Sequence, residues 1–108
     1  MLEIKNNTIT LTRGDFCALK VDIKEVSGKE YVLQKDDNLV FTMRKKVESP
    51  DILLQKRFEN GVLNIVSEDT ISLDFGAYVY DVVLTLATGE VFTIVPTHTF
   101  NVSREVHN

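Results

Sequence analysis

The chain carries a single cysteine, Cys17, so no disulfide can close within it. Small secreted sandwiches ordinarily depend on such bridges, and their absence favours a reducing compartment. Tryptophan is missing altogether, which removes the side chain best suited to stacking sugars. No apolar stretch approaches the ~20 residues that a spanning helix needs. The first residues, Met1-Leu2-Glu3-Ile4-Lys5, lack the apolar core of a signal peptide. No membrane partner is therefore expected, and the triplets Asn6-Asn7-Thr8 and Asn101-Val102-Ser103 are read as chance rather than glycosylation sites. Positive charge is also scarce, with 12 Lys and Arg against 16 Asp and Glu and a net charge of −4. A protein that tracks phosphates needs a basic face. The one basic run, Arg44-Lys45-Lys46, is followed at once by Glu48 and Asp51, so no nucleic-acid partner is expected.

What is present is alternation. At 108 residues there is room for one domain, spanning 1–108, with one core. Cys17, Leu19, Val21 and Ile23 alternate with Ala18, Lys20, Asp22 and Lys24. That period of two marks a strand with one face buried and one wet. Leu39, Phe41 and Met43 repeat it, as do Leu63 and Ile65, then Tyr78, Tyr80, Val82, Leu84 and Leu86, then Phe92 and Ile94, and last Phe100 and Val102.

Turn residues separate these runs. Arg13-Gly14-Asp15 parts residues 8–12 from a strand beginning at Phe16, which Ser27-Gly28 ends. Asn60-Gly61 predicts a type I′ hairpin joining 52–58 to 62–66. Thr88-Gly89 predicts the longest hairpin, from 77–87 to 91–95. Pro96 cannot donate to a ladder, so the last strand should kink there and resume at 98–103. Ser67, read as an N-cap, with Glu68 and Asp69 behind it, predicts one short helical turn over 67–73 that crosses between sheets. Seven or eight strands at this spacing predict an all-β, immunoglobulin-like antiparallel β-sandwich.

Asp74-Phe75-Gly76-Ala77-Tyr78-Val79-Tyr80 resembles the Asp-x-Gly-x-Tyr-x-Cys lead into strand F of immunoglobulin-type domains. The resemblance implies that the Tyr78 hydroxyl folds back onto upstream backbone, that Gly76 allows a tight approach, and that Phe41 fills the core position tryptophan usually takes. A second resemblance covers most of the chain. It rests on Ile9-Thr10-Leu11-Thr12-Arg13-Gly14-Asp15, Val40-Phe41-Thr42-Met43-Arg44-Lys45, Ser67-Glu68-Asp69-Thr70, the run from Gly76 to Thr85, and Gly89-Glu90-Val91-Phe92-Thr93-Ile94. Together these look like structural domains of Firmicutes phages and prophages, similar to the N-terminal sandwich of the baseplate upper protein. The resemblance implies a non-catalytic module that contacts other phage structural proteins and can form homo-oligomers. It implies the bacterial cytoplasm while expressed from a prophage, and the tail or baseplate once assembled.

Chemistry-bearing residues are few. Cys17 lies on an apolar strand face without a base beside it in sequence, where a nucleophilic thiol needs one. His98 and His107 lack metal-ligand spacing. Asp36-Asp37 and Glu68-Asp69 are adjacent pairs, read as solvated or capping rather than as an acid and a base. Arg13-Gly14-Asp15 is read as a turn with wet flanking charges. No catalytic residue, metal or cofactor is expected. The candidate interface is the outer face of residues 77–95, at Val79, Asp81, Val83, Val91, Thr93 and Val95, where valines occupy positions that should be wet. A carbohydrate-binding sandwich is the alternative.

Overall fold

The computed structural model describes residues 2–5, 7–25 and 27–104. It is an all-β sandwich-like fold with strands β1 (Leu2–Lys5), β2 (Thr8–Thr12), β3 (Cys17–Leu19), β4 (Asn38–Arg44), β5 (Ile52–Arg57), β6 (Leu63–Ile65), β7 (Gly76–Thr85) and β8 (Val91–Ser103). One helical turn, α1 (Ser67–Thr70), interrupts them. The larger sheet runs β1-β2-β8-β7-β4-β5, and β3 pairs with β6 in a second, two-stranded sheet. The neighbours β8, β7 and β4 stand in the order of immunoglobulin strands G, F and C.

Alternation decides which side chains meet between the sheets. Leu39, Phe41 and Met43 of β4 and Tyr78, Tyr80, Val82 and Leu84 of β7 are buried. They face Cys17, Leu19, Leu63 and Ile65 from the small sheet, all buried too. At the centre Phe41 stacks on Tyr80 with ring centroids 5.3 Å apart, and Phe100 meets both edge-on at 6.0 and 6.3 Å. Phe41 thus fills the central position of β4.

The ladders are antiparallel with one exception: β2 and β8 run parallel, Ile9 beside Phe100 and Leu11 beside Val102. Strands so distant in sequence need no hairpin between them, and alternation alone carries no direction. The expected strand from Phe16 to Ser27 is shorter than its pattern. Its ladder covers only Cys17–Leu19 because the partner β6 is three residues long. Beyond it Ile23 still turns to the core, and the chain folds back through Ser27-Gly28, with the Tyr31 amide donating to the Ile23 carbonyl at 2.8 Å.

The Asn60-Gly61 turn forms, with φ of 52° and 77° and reciprocal bonds between Glu59 and Val62. It does not make the expected hairpin. β5 pairs with β4, and β6 pairs with β3. The turn changes sheet, because Leu63 and Ile65 bury themselves only on the far side of the Phe41 layer. Lys56 holds the two sides together: its Nζ donates to the Asn64 carbonyl at 2.6 Å and to Asp69 Oδ2 at 2.7 Å.

β8 does not break at Pro96 as expected. It runs unbroken from Val91 to Ser103, but its register with β7 shifts, so that Tyr80 opposes His98 while Val82 opposes Val95. Pro96 and Thr97 together face Asp81. A proline in such a bulge removes no ladder donor. α1 crosses between the sheets as predicted, yet Val66 rather than Ser67 is the N-cap. The Asp69 carboxylate accepts the Val66 amide at 2.9 Å.

The Tyr78 hydroxyl donates to the Asp74 carbonyl at 2.7 Å, the corner that the Asp-x-Gly-x-Tyr pattern implies. Gly76 serves it differently from expectation. Nothing lies within 4 Å of where its Cβ would be, so the requirement is its φ of +141°. Replacing Tyr78 with Phe should cost about 0.5–1.5 kcal/mol, the net worth of one hydrogen bond. A urea titration that left the midpoint unchanged would remove the corner from the stability of the fold. For the Lys56 clasp, a double-mutant cycle with Lys56→Ala and Asp69→Ala should give a coupling of about 0.5–1 kcal/mol at this partial exposure. Strict additivity would show that the Lys56–Asp69 pair contributes nothing to the clasp.

Candidate functional site

Around the edges of the fold, the polar groups singled out in the sequence are mostly occupied. Gly14 takes φ +85° in its turn, and its amide donates to the buried Thr70 hydroxyl at 2.8 Å. Arg13 is not wet as expected. It is half-buried, its guanidinium lies 4.2 Å from the Phe75 ring centroid, and Arg104 lies 4.9 Å from the same centroid. That arrangement ties the first turn to the corner preceding β7. Asp36 is exposed, whereas Asp37 is buried and organises its loop. It accepts the Tyr31 hydroxyl at 2.5 Å and the Gln34 amide at 2.9 Å. Those bonds, the Tyr31 hydroxyl first, hold the Asp37 carboxyl below its ordinary range.

Cys17 is buried with 4% exposure. Burial chiefly, and then the Asp69 carboxylate, push its thiol upward against the opposing pull of Lys56. A nucleophile needs the opposite shift. His98 Nδ1 lies 2.6 Å from the Pro96 carbonyl within its own strand, and His107 lies outside the described residues. Among the described residues no group of three or more His, Cys, Asp or Glu is placed to hold a metal ion. Nor is any helix long and apolar enough to cross a membrane.

A concavity of about 820 Å3 opens at the end of the sandwich where Asn60-Gly61 turns and residues 30–35 fold back. Ile23, Leu39 and Phe58 form its apolar floor. Its one aromatic with a polar tip, Tyr31, has its hydroxyl committed to Asp37. Sequence reasoning missed this loop, because the link between Tyr31 and Asp37 follows from the fold-back of residues 31–37 rather than from alternation.

The candidate interface is assembled by ladder register. Residues directly opposed across antiparallel strands share a face. Val79 opposes Arg44 and Thr99, Asp81 opposes Thr42, and Val83 opposes Val40 and Thr93. Val91 opposes Thr85. All lie on the side away from Tyr80, Val82 and Leu84, so the structure gathers Val79, Asp81, Val83, Val91 and Thr93 on the outer face. Val95 is a correction. It opposes Val82 and packs against the core, because the bulges beside it shift β8 out of strict alternation. Val40, which was not among the interface candidates, takes its place on the outer face. Its wet position in β4 was visible, but its adjacency to Val83 was not.

The resulting surface is a band of valine and threonine. Asn38, Val40, Thr42, Arg44, Gln55, Asp81, Val83 and Thr85 line a shallow depression at its centre. Val91 is 62% exposed at one side. The surface presents valine methyl groups, threonine hydroxyls and the charges of Arg44 and Asp81. No family model matches the chain, and neither a curated protein nor a solved structure matches it.

Two outcomes follow. Cys17 should react with a thiol reagent only as fast as the protein opens. Rapid stoichiometric labelling of the native protein would contradict its burial. A carboxyl with a lowered folded pKa contributes stability that is present above the ordinary carboxylate range and lost as pH falls from that range through the lower folded pKa. Asp37→Asn should therefore flatten the fall in urea midpoint between about pH 5 and about pH 2. An identical slope in both proteins would show that the loop bonds contribute nothing to acid sensitivity.

Proposed function

We propose that this domain is a non-catalytic structural module of a phage or prophage tail or baseplate, acting through protein–protein contact. The observation that carries the contact reading is the outer face of β4, β7 and β8, where Val40, Val79, Val83 and Val91 stand at positions turned from the core. These valines share the face with Thr42, Arg44, Gln55 and Asp81, a mixture of apolar and polar groups like that of protein–protein contact surfaces, and Val91 supplies its most exposed apolar area. Burying it contributes roughly 25 cal/mol per Å2, before the loss of translational and rotational freedom is subtracted. The assignment to a phage assembly rests on the resemblance of the turns and strands to Firmicutes phage structural domains. The residues with catalytic potential support the non-catalytic reading: the thiol is shifted the wrong way, and the carboxylates of Asp37 and Asp69 serve as loop and helix caps.

The test is binding to purified tail and baseplate proteins encoded beside this chain, measured by sedimentation. Wild type should bind at least one of them, and Val83→Asp with Val91→Asp should abolish binding while circular dichroism stays unchanged. Full binding by the double variant would move the contact elsewhere. Unfolding on substitution would show that this face belongs to the core.

A further inference from the structure

We propose that the outer face is covered by a second copy of this chain, placed by a two-fold axis that sets Arg44 of each copy against Asp81 of the other. This rests on the reading of that face as an interface and names its occupant. Arg44 and Asp81 line the same depression, with Val40, Thr42 and Val83 between and beside them. Asp81 opposes Thr42, and Arg44 opposes Val79. The two charges are therefore diagonal neighbours on one face, a separation of roughly 7–8 Å between backbones.

Their side chains do not pair with each other, and among the described residues neither side chain makes a hydrogen bond or an ion pair. Both are half-buried. A partly desolvated charge without a counterion is costly, which makes each of them a ligand awaiting its opposite. A symmetric interface satisfies both at once, since residue i of one copy meets residue j of the other and j meets i. An unrelated partner would have to supply a cation and an anion at the matching separation. A second copy does so by construction.

The size of the face sets the strength. Four strands ~4.8 Å apart, over about six residues of ~3.3 Å each, give a footprint near 19 by 20 Å per copy. Two such faces bury less than the roughly 1,200–2,000 Å2 of stable complexes. The dimer is accordingly weak, with a population that depends on concentration and on salt. It leaves the free edge of β5 and the tip of the β7–β8 hairpin open to other proteins.

The experiment is sedimentation velocity over a concentration series on wild type, Asp81→Arg, Arg44→Glu, and Asp81→Arg combined with Arg44→Asp. Circular dichroism melts on each identify any variant that fails to fold. Wild type should show concentration-dependent dimer that weakens as salt rises. Either single reversal should weaken association at least about tenfold, because like charges then meet across the interface. The double reversal should restore it. Wild type that remains monomeric throughout, or single reversals that associate as wild type does, would overturn the proposal. If wild type is monomeric yet Val83→Asp with Val91→Asp still abolishes binding to a tail protein, the contact surface stands and the second copy does not.

Discussion

Nothing covalent joins the two sheets, so the packing of Phe41, Tyr80 and Phe100 holds the rest of the structure in place. A fully buried aromatic removes about 150–250 Å2 from water. At roughly 25 cal/mol per Å2 each ring contributes up to ~4–6 kcal/mol relative to an extended chain, an upper bound. An inter-sheet disulfide typically adds ~2–4 kcal/mol. The upper bound for one such ring is thus of the same order as a bridge, and Tyr80 has a second role. Its hydroxyl reaches the Asn7 carbonyl, so the same ring also anchors the turn between β1 and β2.

The small sheet explains most of the remaining architecture. With three residues in each strand, β3 and β6 cannot cover the larger sheet alone. Connections complete the cover. The Lys56 clasp draws β6 toward β5, Thr70 sits buried beneath the first turn, and the 31–37 loop closes one end around Asp37. Each device spends polar groups on internal bonds. This is why the carboxylates that draw attention in the sequence end as caps, and why the outer face of the larger sheet, which takes no part in closure, is where unpaired charge and exposed valine remain together.

The β7–β8 hairpin links the core to that face. Bulges at Pro96 and beside Val82 let β8 continue past a residue that cannot donate, and they turn Val95 inward. The same shifts set Asp81 against two residues of β8 rather than one. A local backbone device made necessary by proline thus shapes the composition of the outer surface.

Alternation and turn chemistry by themselves determined the class of fold, the inward-facing residues of β4 and β7, the helical turn near residue 67 and most of the outer-face candidates, while the tyrosine corner came from the resemblance of residues 74–80 to an immunoglobulin-type motif. Those features depend on a side chain's position relative to its immediate neighbours, and a period of two records that directly. Strand partnership did not follow. Asn60-Gly61 makes the same tight turn whether its arms pair or part, and only the need to bury Leu63 and Ile65 above Phe41 sent them to different sheets. The parallel β2–β8 ladder, the inward turn of Val95, the meeting of Val40 with Val83 and the proximity of Arg44 to Asp81 were decided in the same way. Each joins residues distant in sequence, and which strands become neighbours is set by how a whole core closes, a quantity that no local pattern carries.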